Sequence, residues 1–182
     1  MASHGVLIPE AIAAKDVDAY NRSAVGAMDL DNGNVVVLSG KSATAGESEV
    51  FTAIAPSTGN GLTGLWMVYS GDEIVLTDAR YKGIDPDVRN FYNVATKTVS
   101  IYKPQLGDII LLTTDALSGS YSAGVTTHIN ATDGGGIELV WGNSQTGSVL
   151  SYKLQAVKYI SLATGAIDTQ RVAAYEFECV GL

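Results

Sequence analysis

Two alternating runs near the C-terminus constrain the fold of this chain more than any other feature. Residues 150–156 and 173–179 each place an apolar side chain at every second position. A period of two is the side-chain period of a strand with one buried face. Residues 163–166, Ala-Thr-Gly-Ala, lie between the runs and are typical of a turn. The runs therefore predict a β-hairpin whose buried face carries Tyr152, Leu154, Tyr175 and Phe177.

Short apolar runs separated by turn residues continue along most of the chain. The 182 residues include 20 Gly but only 4 Pro, and glycine supplies the positive φ angles of tight turns. Seven more strands are predicted at residues 34–39, 49–55, 65–69, 99–103, 108–113, 124–129 and 137–141. The unbroken Ile-Ile-Leu-Leu of the 108–113 run predicts a strand covered on both faces. Because no long helical period separates the runs, the fold class is all-β, either a single β-sandwich or a partly closed barrel.

The first 27 residues show neither alternation nor a helical stripe, although several of them are apolar. Chain ends of this kind are typically mobile or act as tethers. We expect an extended N-terminal arm over residues 1–27, followed by a β-rich domain over residues 28–182. The arm is predicted to become ordered only when bound, through Val6, Leu7, Ile8, Pro9 and Ile12.

One short helix is predicted within the charged stretch 78–93. Asp85 precedes Pro86 there, and aspartate is favoured at the N-cap of a helix while proline is favoured at its first position. The helix is expected to cover residues 87–92.

The charge and cysteine content exclude several classes of function. Eleven Lys and Arg against nineteen Asp and Glu give a net charge of -8, which repels a phosphate backbone and argues against a nucleic-acid partner. Cys179 is the only cysteine and falls in an apolar run, so it is expected to be buried and inert. With two histidines, no Cys/His zinc site is expected. The sequence has neither a basic leader nor a long apolar run, so no signal peptide or membrane helix is predicted. We expect the chain to be made in the cytoplasm and to stay soluble.

Three short motifs match ligand or catalytic sites in their letters alone. Residues 59–64 read G-x-G-x-x-G, but residues 65–69 predict a strand where a phosphate-binding helix is required. Asp29 and Asp31 begin like a calcium loop, but the glutamate of the twelfth position is absent, so a turn is predicted there instead. His128 lies in a predicted strand without a nucleophile and a carboxylate spaced to serve it. No catalytic residue, metal ligand or cofactor is therefore assigned.

Two other possibilities remain open from the sequence. Trp66 and Trp141 lie in strand-like runs, where core packing is favoured, although an outward-facing indole would stack on a sugar. A glycosidase pair could be assembled in three dimensions from carboxylates such as Asp72, Glu73 and Glu138. The first possibility predicts a carbohydrate-binding module, and the second a hydrolase.

The order of motifs in the first two thirds of the chain resembles a known family. Residues 29–36 have the pattern D-x-x-N-G-x-V-V, and residues 106–117 include the pair Gly-Asp followed by Ala-Leu. Between them lie further segments in the same order, at residues 46–51, 53–56, 64–70, 78–93 and 101–103. Over residues 28–120 this order resembles the head decoration, or cement, proteins of tailed bacteriophages. The chain departs from that pattern before Met28 and over residues 118–146.

The resemblance implies a β-rich, β-tulip-like body that sits on the outer face of a capsid and ties neighbouring capsomers together. Proteins of that family are not enzymes, so the resemblance supplies no catalytic residues. It predicts a structural virion protein, made in the host cytoplasm, whose partners are the major capsid protein and either neighbouring decoration subunits or further copies of itself. No nucleic acid or membrane partner is implied. The alternative is a carbohydrate-binding β-sandwich module for host attachment.

Overall fold

The computed structural model describes residues 3–43, 49–59, 61–70, 87–132, 136–145, 149–163 and 169–182. This part of the chain forms twelve β-strands and four 3-10 helices of three residues each. The prediction of an all-β fold is confirmed. The strands are β1 (Leu7–Ala11), β2 (Asn21–Gly26), β3 (Val35–Lys41), β4 (Val50–Ile54), β5 (Trp66–Val68), β6 (Thr98–Tyr102), β7 (Ile109–Thr113), β8 (Leu117–Ser118), β9 (His128–Asn130), β10 (Leu139–Gly142), β11 (Ser151–Ala163) and β12 (Thr169–Gly181).

The strands belong to two sheets of different kinds. Five of them close into a barrel in the order β2-β4-β3-β5-β6, and β2 closes it by pairing with both β4 and β6. The other seven form an open sheet in the order β1-β7-β12-β11-β9-β10-β8. All barrel strands lie between β1 and β7 in sequence, and β1 pairs with β7. The barrel is therefore an insertion between two neighbouring strands of the open sheet.

Consecutive residues of the barrel strands enter two separate hydrophobic cores. Val36 and Val68 point into the barrel, while their neighbours Val35 and Met67 point outward and are equally buried. Successive side chains of a strand face opposite sides, so a barrel covered by a sheet needs apolar residues in both phases. The outer core between barrel and sheet includes Met67, Tyr102, Ile110, Leu112, Ile129, Leu139, Tyr152 and Phe177.

The barrel touches the sheet most closely at Gly33. This residue has φ of +98°, and a Cβ atom there would lie 2.6 Å from the side chain of Leu112 in β7. Both observations require glycine, because other residues are strained at positive φ and no space exists for a side chain. The predicted turn at residues 29–34 thus also provides a packing contact between the two sheets.

The predicted hairpin is confirmed as the antiparallel pair of β11 and β12. Tyr152, Tyr175 and Phe177 are buried in the outer core, and Leu154 packs against it. The strands are longer than predicted, since β11 continues to Ala163 and β12 begins at Thr169. The turn prediction at residues 163–166 falls mostly outside the described residues.

Seven other predicted strands agree with the structure at differing precision. Residues 108–113 correspond to β7, whose Ile110, Leu111 and Leu112 are all buried, as expected for a strand covered on both faces. Residues 124–129 correspond only to the start of β9 at His128, because Ser122 and Thr126 close a turn before it. Strands β1, β2 and the two-residue β8 were not predicted.

The N-terminal segment belongs to the folded body, contrary to the expectation of an arm that orders only on binding. Strand β1 pairs along β7, and Val6, Leu7 and Ile12 are buried. The sequence pattern is misleading here because Pro9 and the bulge between Pro9 and Ala11 interrupt the alternation of a genuine strand. The described part of residues 1–27 supplies strands to both sheets.

Polar contacts fix the start of this segment. The His4 ring lies 2.8 Å from an Asp31 carboxylate oxygen through Nδ1 and stacks on Tyr92 at a centroid distance of 4.6 Å. The backbone N–H of Gly5 donates to the other oxygen of Asp31 at 2.8 Å. A Cβ atom on Gly5 would lie 2.6 Å from that of Ala116. The chain therefore enters β1 through a close contact that leaves no room for a side chain.

The predicted short helix is a single 3-10 turn over Val88–Asn90. Its N-cap is Asp87, whose carboxylate accepts from the backbone N–H of Arg89 at 2.9 Å. The proposed cap Asp85 and the following Pro86 lie outside the described residues. The sequence placed Asp87 inside the helix, whereas in the structure Asp87 is the N-cap and the turn begins at Val88.

Candidate functional site

A cleft of about 670 Å³ lies where β1 meets the barrel. One wall is formed by β1 and the 3-10 turn after it, and the other by barrel strands β2 and β6. Its apolar lining comes from Ile8, Pro9, Ile12, Ala14, Ile101 and Tyr102. The cleft exists because β1 belongs to the open sheet while the next strand, β2, belongs to the barrel, so that the chain crosses from one to the other here.

The polar lining of the cleft is mainly basic or neutral. Lys15 and Arg22 provide cations, and Glu49 is the carboxylate among the described lining residues. The ammonium group of Lys15 donates to the backbone carbonyls of Pro9 at 2.7 Å and Glu10 at 3.2 Å. In a chain of net charge -8, this cleft therefore carries a local excess of positive charge.

Arg22 also forms part of an aromatic cluster at the mouth of the barrel. Its guanidinium carbon lies 5.1 Å from the ring centre of Phe51 and 5.8 Å from that of Trp66. Lys41 approaches the same Phe51 ring at 4.6 Å. These are cation–π distances. The Trp66 ring is thus half-buried and covered by a cation, which leaves it poorly placed to stack on a sugar.

The five residues predicted to contact a capsid divide into two groups. Val6 and Leu7 are buried against the body, at 4% and 1% exposure, and line no described part of the cleft. Ile8, Pro9 and Ile12 all line the cleft, and Ile8 is 38% exposed. The structure therefore brings three of the five together in the cleft, where Ile8 is accessible and Ile12 is buried.

The other tryptophan and the cysteine lie in the core. Trp141 packs among Tyr121, Tyr175 and Phe177, with ring centres 5.1–5.4 Å apart. Burial raises the pKa of the Cys179 thiol to about 12, so the thiol stays protonated and unreactive. Among the aromatic residues that the structure describes, Tyr159 alone is more than half exposed.

The acidic turn at residues 29–34 has structural partners for both of its aspartates. The Asp29 carboxylate accepts from the backbone N–H of Ala95 at 2.7 Å, and that of Asp31 binds His4 and Gly5. No group of three potential metal ligands occurs within the described ranges. The interpretation of this segment as a turn rather than a calcium loop therefore agrees with its contacts.

His128 has a local environment without a catalytic partner set. Its ring lies 2.8 Å from the Thr127 hydroxyl through Nδ1. Burial, together with the nearby Lys153 ammonium, lowers its pKa. Of the carboxylates considered for a glycosidase, Asp72 and Glu73 lie outside the described residues, and Glu138 is half-buried beside β10. The glycine-rich segment 59–64, of which Asn60 lies outside the described residues, precedes strand β5, as expected for a loop that does not lead into a helix.

Sequence reasoning missed one exposed surface, at the distal end of the β11–β12 hairpin. Val157 and Tyr159 lie there on one face, 42% and 57% exposed, and Arg171 stacks over the Tyr159 ring at 4.4 Å. The available signal was that the apolar residues after Ala156 occur in both alternating phases, as at Val157, Tyr159, Ile160 and Leu162. A strand that merely covered a core would show only one phase.

No helix in the described parts of the chain is long and apolar enough to span a membrane. Two accessible features of the described residues are the basic cleft beside β1 and the distal hairpin. Comparisons of the chain with models of protein families, with curated proteins and with solved structures found no match.

Proposed function

We propose that this protein is a structural virion protein that binds the outer surface of an assembled phage capsid and stabilises contacts between capsomers. The major capsid protein is its partner. The observation that carries the proposal is the cleft beside β1, where Ile8, Pro9 and Ile12 gather next to Lys15 and Arg22. It adds a partly apolar, accessible contact site to the sequence order that resembles decoration proteins.

The cleft is better suited to binding a segment of a partner protein than to catalysing a reaction. Its volume of about 670 Å³ accommodates several side chains of a partner, and apolar surface covered there contributes roughly 25 cal/mol per Å². The excess of positive charge favours an acidic or neutral segment. Glu49 alone, among the described lining residues, does not provide the two carboxylates of a glycosidase.

Binding is tested by co-sedimentation with empty capsids of the phage that encodes the chain. Ile8→Asp places a charge in the cleft and is expected to reduce the bound fraction at least tenfold. Leu106→Asp is the matched control, since Leu106 is 65% exposed and does not line the cleft. Equal binding by both variants would remove the cleft from the proposal, and no binding by the unaltered protein would remove the function.

Stabilisation of the shell is tested by DNA release during a temperature ramp. A protein that binds only the assembled shell stabilises it by mass action, so its effect grows with occupancy. Decorated capsids should release DNA at a higher temperature than bare capsids, at both low and physiological salt, because the contacts are partly apolar. Coincident release curves at saturating occupancy would contradict the proposal. Binding in a glycan screen without capsid binding would favour the carbohydrate-binding module instead.

A further inference from the structure

The distal half of the β11–β12 hairpin extends beyond the strands that flank it. Strand β11 pairs with β9 only over residues 151–153, and β12 pairs with β7 only over residues 174–178. Within the described chain, residues 156–163 pair only with β12, and residues 169–173 pair only with β11. We call residues 155–163 of β11 the open edge.

The direction of the backbone groups on the open edge follows from the hydrogen bonds of β12. Cys179 donates its N–H to the Asp108 carbonyl at 2.8 Å and accepts from Gly107 at 2.9 Å, so it faces β7. Backbone groups alternate in direction along a strand, so Ala174 and Val172 face β11. Their partners, Lys158 and Ile160, therefore face inward.

The intervening residues Val157, Tyr159 and Ser161 thus direct their N–H and carbonyl groups out of the hairpin. Before the bulge between Leu154 and Ala156 the outward-facing residue is Leu154, whose N–H donates to the Thr127 carbonyl at 2.8 Å. The extra residue of the bulge shifts the outward direction to the odd-numbered residues that follow it. The open edge consequently presents three successive donor and acceptor pairs.

The two outermost strands of the open sheet are protected against strand pairing. Pro9 in β1 has no N–H, and Lys15 occupies the carbonyls of Pro9 and Glu10. At the opposite side, β8 has only two residues, Leu117–Ser118. Proline, lysine and short strands are the usual means of preventing edge association. The open edge contains no proline and a single charged residue, Lys158.

We propose that the open edge pairs with the same edge of a second copy of this chain, antiparallel and about a two-fold axis at Tyr159. This pairing places Val157 of one copy opposite Ser161 of the other, and Lys158 opposite Ile160. All three outward-facing residues then find hydrogen-bonding partners. The two open sheets join into one continuous sheet across the dimer.

The side chains of the open edge are compatible with this pairing. No like charges lie directly opposite each other, an arrangement that is unfavourable between strands. The Lys158 ammonium is already neutralised within its own chain by Glu176 and, at 3.2 Å, by Glu10. Val157 and Tyr159 are exposed in the single chain. In the dimer, Val157 of one copy lies next to Tyr159 of the other. The net charge of -8 on each copy opposes association, so added salt should strengthen the dimer.

The first test measures the mass of the purified protein by sedimentation equilibrium across a range of concentrations. Tyr159→Pro removes an N–H that points outward, which the hairpin itself does not use, so circular dichroism should remain unchanged. The unaltered protein should dimerise, and Tyr159→Pro should weaken the dimer at least tenfold. Tyr159→Ala is the matched control because it removes the ring and keeps the N–H, and it should still dimerise.

A monomeric unaltered protein at every concentration, or equal dimerisation of Tyr159→Pro, would overturn the proposal. If the monomer binds capsids and Tyr159→Pro does not, a strand of the shell protein occupies the edge instead, and the dimer proposal is wrong. These results leave the proposed capsid function intact, because capsid binding is measured separately.

The second test fixes the register by disulfide trapping. Opposite residues in a hydrogen-bonded antiparallel pair have Cα atoms about 5.5 Å apart, within the range that a disulfide spans. Tyr159→Cys should therefore form a covalent dimer on mild oxidation. Val157→Cys should not, because its counterpart is offset by four residues, or about 13 Å along the strand. The native Cys179 is buried and does not interfere. Equal trapping at both positions would contradict the two-fold axis at Tyr159.

Discussion

The barrel and the open sheet deal with their strand edges in different ways. The barrel has no edge, because β2 pairs with β4 on one side and β6 on the other. The open sheet ends in the protected β1 and the short β8, and it carries the open edge of β11 in addition. Closure leaves the barrel without an unpaired strand edge, whereas the open sheet retains backbone N–H and carbonyl groups that can pair with another strand. The accessible surfaces for binding are therefore on or beside the open sheet.

Phe177→Ala should have the largest effect and tests whether the two sheets share one stability. Phe177 is fully buried in the outer core, and its truncation is expected to cost about 3–5 kcal/mol. Because barrel residues such as Met67 and Tyr102 belong to the same core, the barrel should unfold together with the sheet. Urea unfolding followed by tryptophan fluorescence measures this.

The two tryptophans allow the sheets to be followed separately. Trp66 lies in the barrel and Trp141 in the sheet, so Trp141→Phe leaves a reporter of the barrel alone. Coincident transitions indicate one cooperative unit, and two transitions would separate the barrel from the sheet. Glu176→Ala is the control on the opposite face and should change stability by less than about 1 kcal/mol. Equal losses of stability from Phe177→Ala and Glu176→Ala would show that the assignment of buried and exposed faces in β12 is wrong.

Leu7→Ala should have the next largest effect and tests whether the first strand belongs to the body. Leu7 is 1% exposed while its neighbour Ile8 is 38% exposed. We expect Leu7→Ala to lower the free energy of unfolding by about 2–5 kcal/mol. Ile8→Ala should lower it by less than about 1 kcal/mol, because surface substitutions have small effects. Equal small effects would instead favour a loosely attached arm.

Asp87→Ala should have a moderate effect that depends on pH. Hydrogen bonds from Arg89 hold the Asp87 pKa below its usual 3.8, and Arg89 also donates to Gln170 in β12 at 2.7 Å. Loss of an N-cap costs about 0.5–2 kcal/mol. A carboxyl pKa that is lower in the folded chain stabilises it above the unfolded pKa, and this contribution disappears as the pH falls through the folded pKa.

The cost of Asp87→Ala should therefore be full at pH 7 and shrink below about pH 4. Urea midpoints of the unaltered and altered proteins, measured at several pH values, test the sign. A difference that stays constant down to pH 2 would show that the charge of Asp87 contributes nothing. Asp18→Ala is a suitable control, since its carboxyl makes no capping bond at the start of its own 3-10 turn.

The smallest effect on stability is expected from removing the protection of β1. The double variant Pro9→Val and Lys15→Leu restores an N–H to the edge and frees two carbonyls. The free energy of unfolding should change by less than about 1 kcal/mol. Association should nevertheless increase, because the open sheet then has two edges that can pair. Light scattering that matches the unaltered protein would show that these residues do not protect the edge.

The hairpin could be predicted because each of the two predicted runs buries only one face. Residues 150–156 and 173–179 alternate because only one face meets the core, and the buried run of β7 was recognisable for the opposite reason. Strand β1 was not predicted, because Pro9 and a bulge interrupt its alternation. A sandwich or partly closed barrel was predicted, but not which strands close the barrel. Pairs such as Val35 and Val36 serve two cores, and sequence does not tell which core each residue enters.

The candidate site was predictable only in part. Ile8, Pro9 and Ile12 were identified as an apolar contact, but their distribution around a cleft depends on the pairing of β1 with β7, about which local sequence carries no information. Lys15 and Arg22 could not be assigned for the same reason, because β2 and the preceding turn reach the cleft through the barrel. The open edge had a sequence signal in its two apolar phases, and the length of β11 was needed to interpret it.

The insertion of the barrel between β1 and β7 has a consequence for how the chain is made. The N–H of Val6 bonds to the hydroxyl of Thr113, 107 positions later. At about 5–20 residues per second, a ribosome needs roughly 5–20 seconds to reach β7 after β1 has emerged. During that interval the barrel strands can already find one another, while Val6, Leu7 and Ile12 have no partner. We expect an unpaired apolar arm to exist as a stage of synthesis, which ends when β7 leaves the ribosome and captures it.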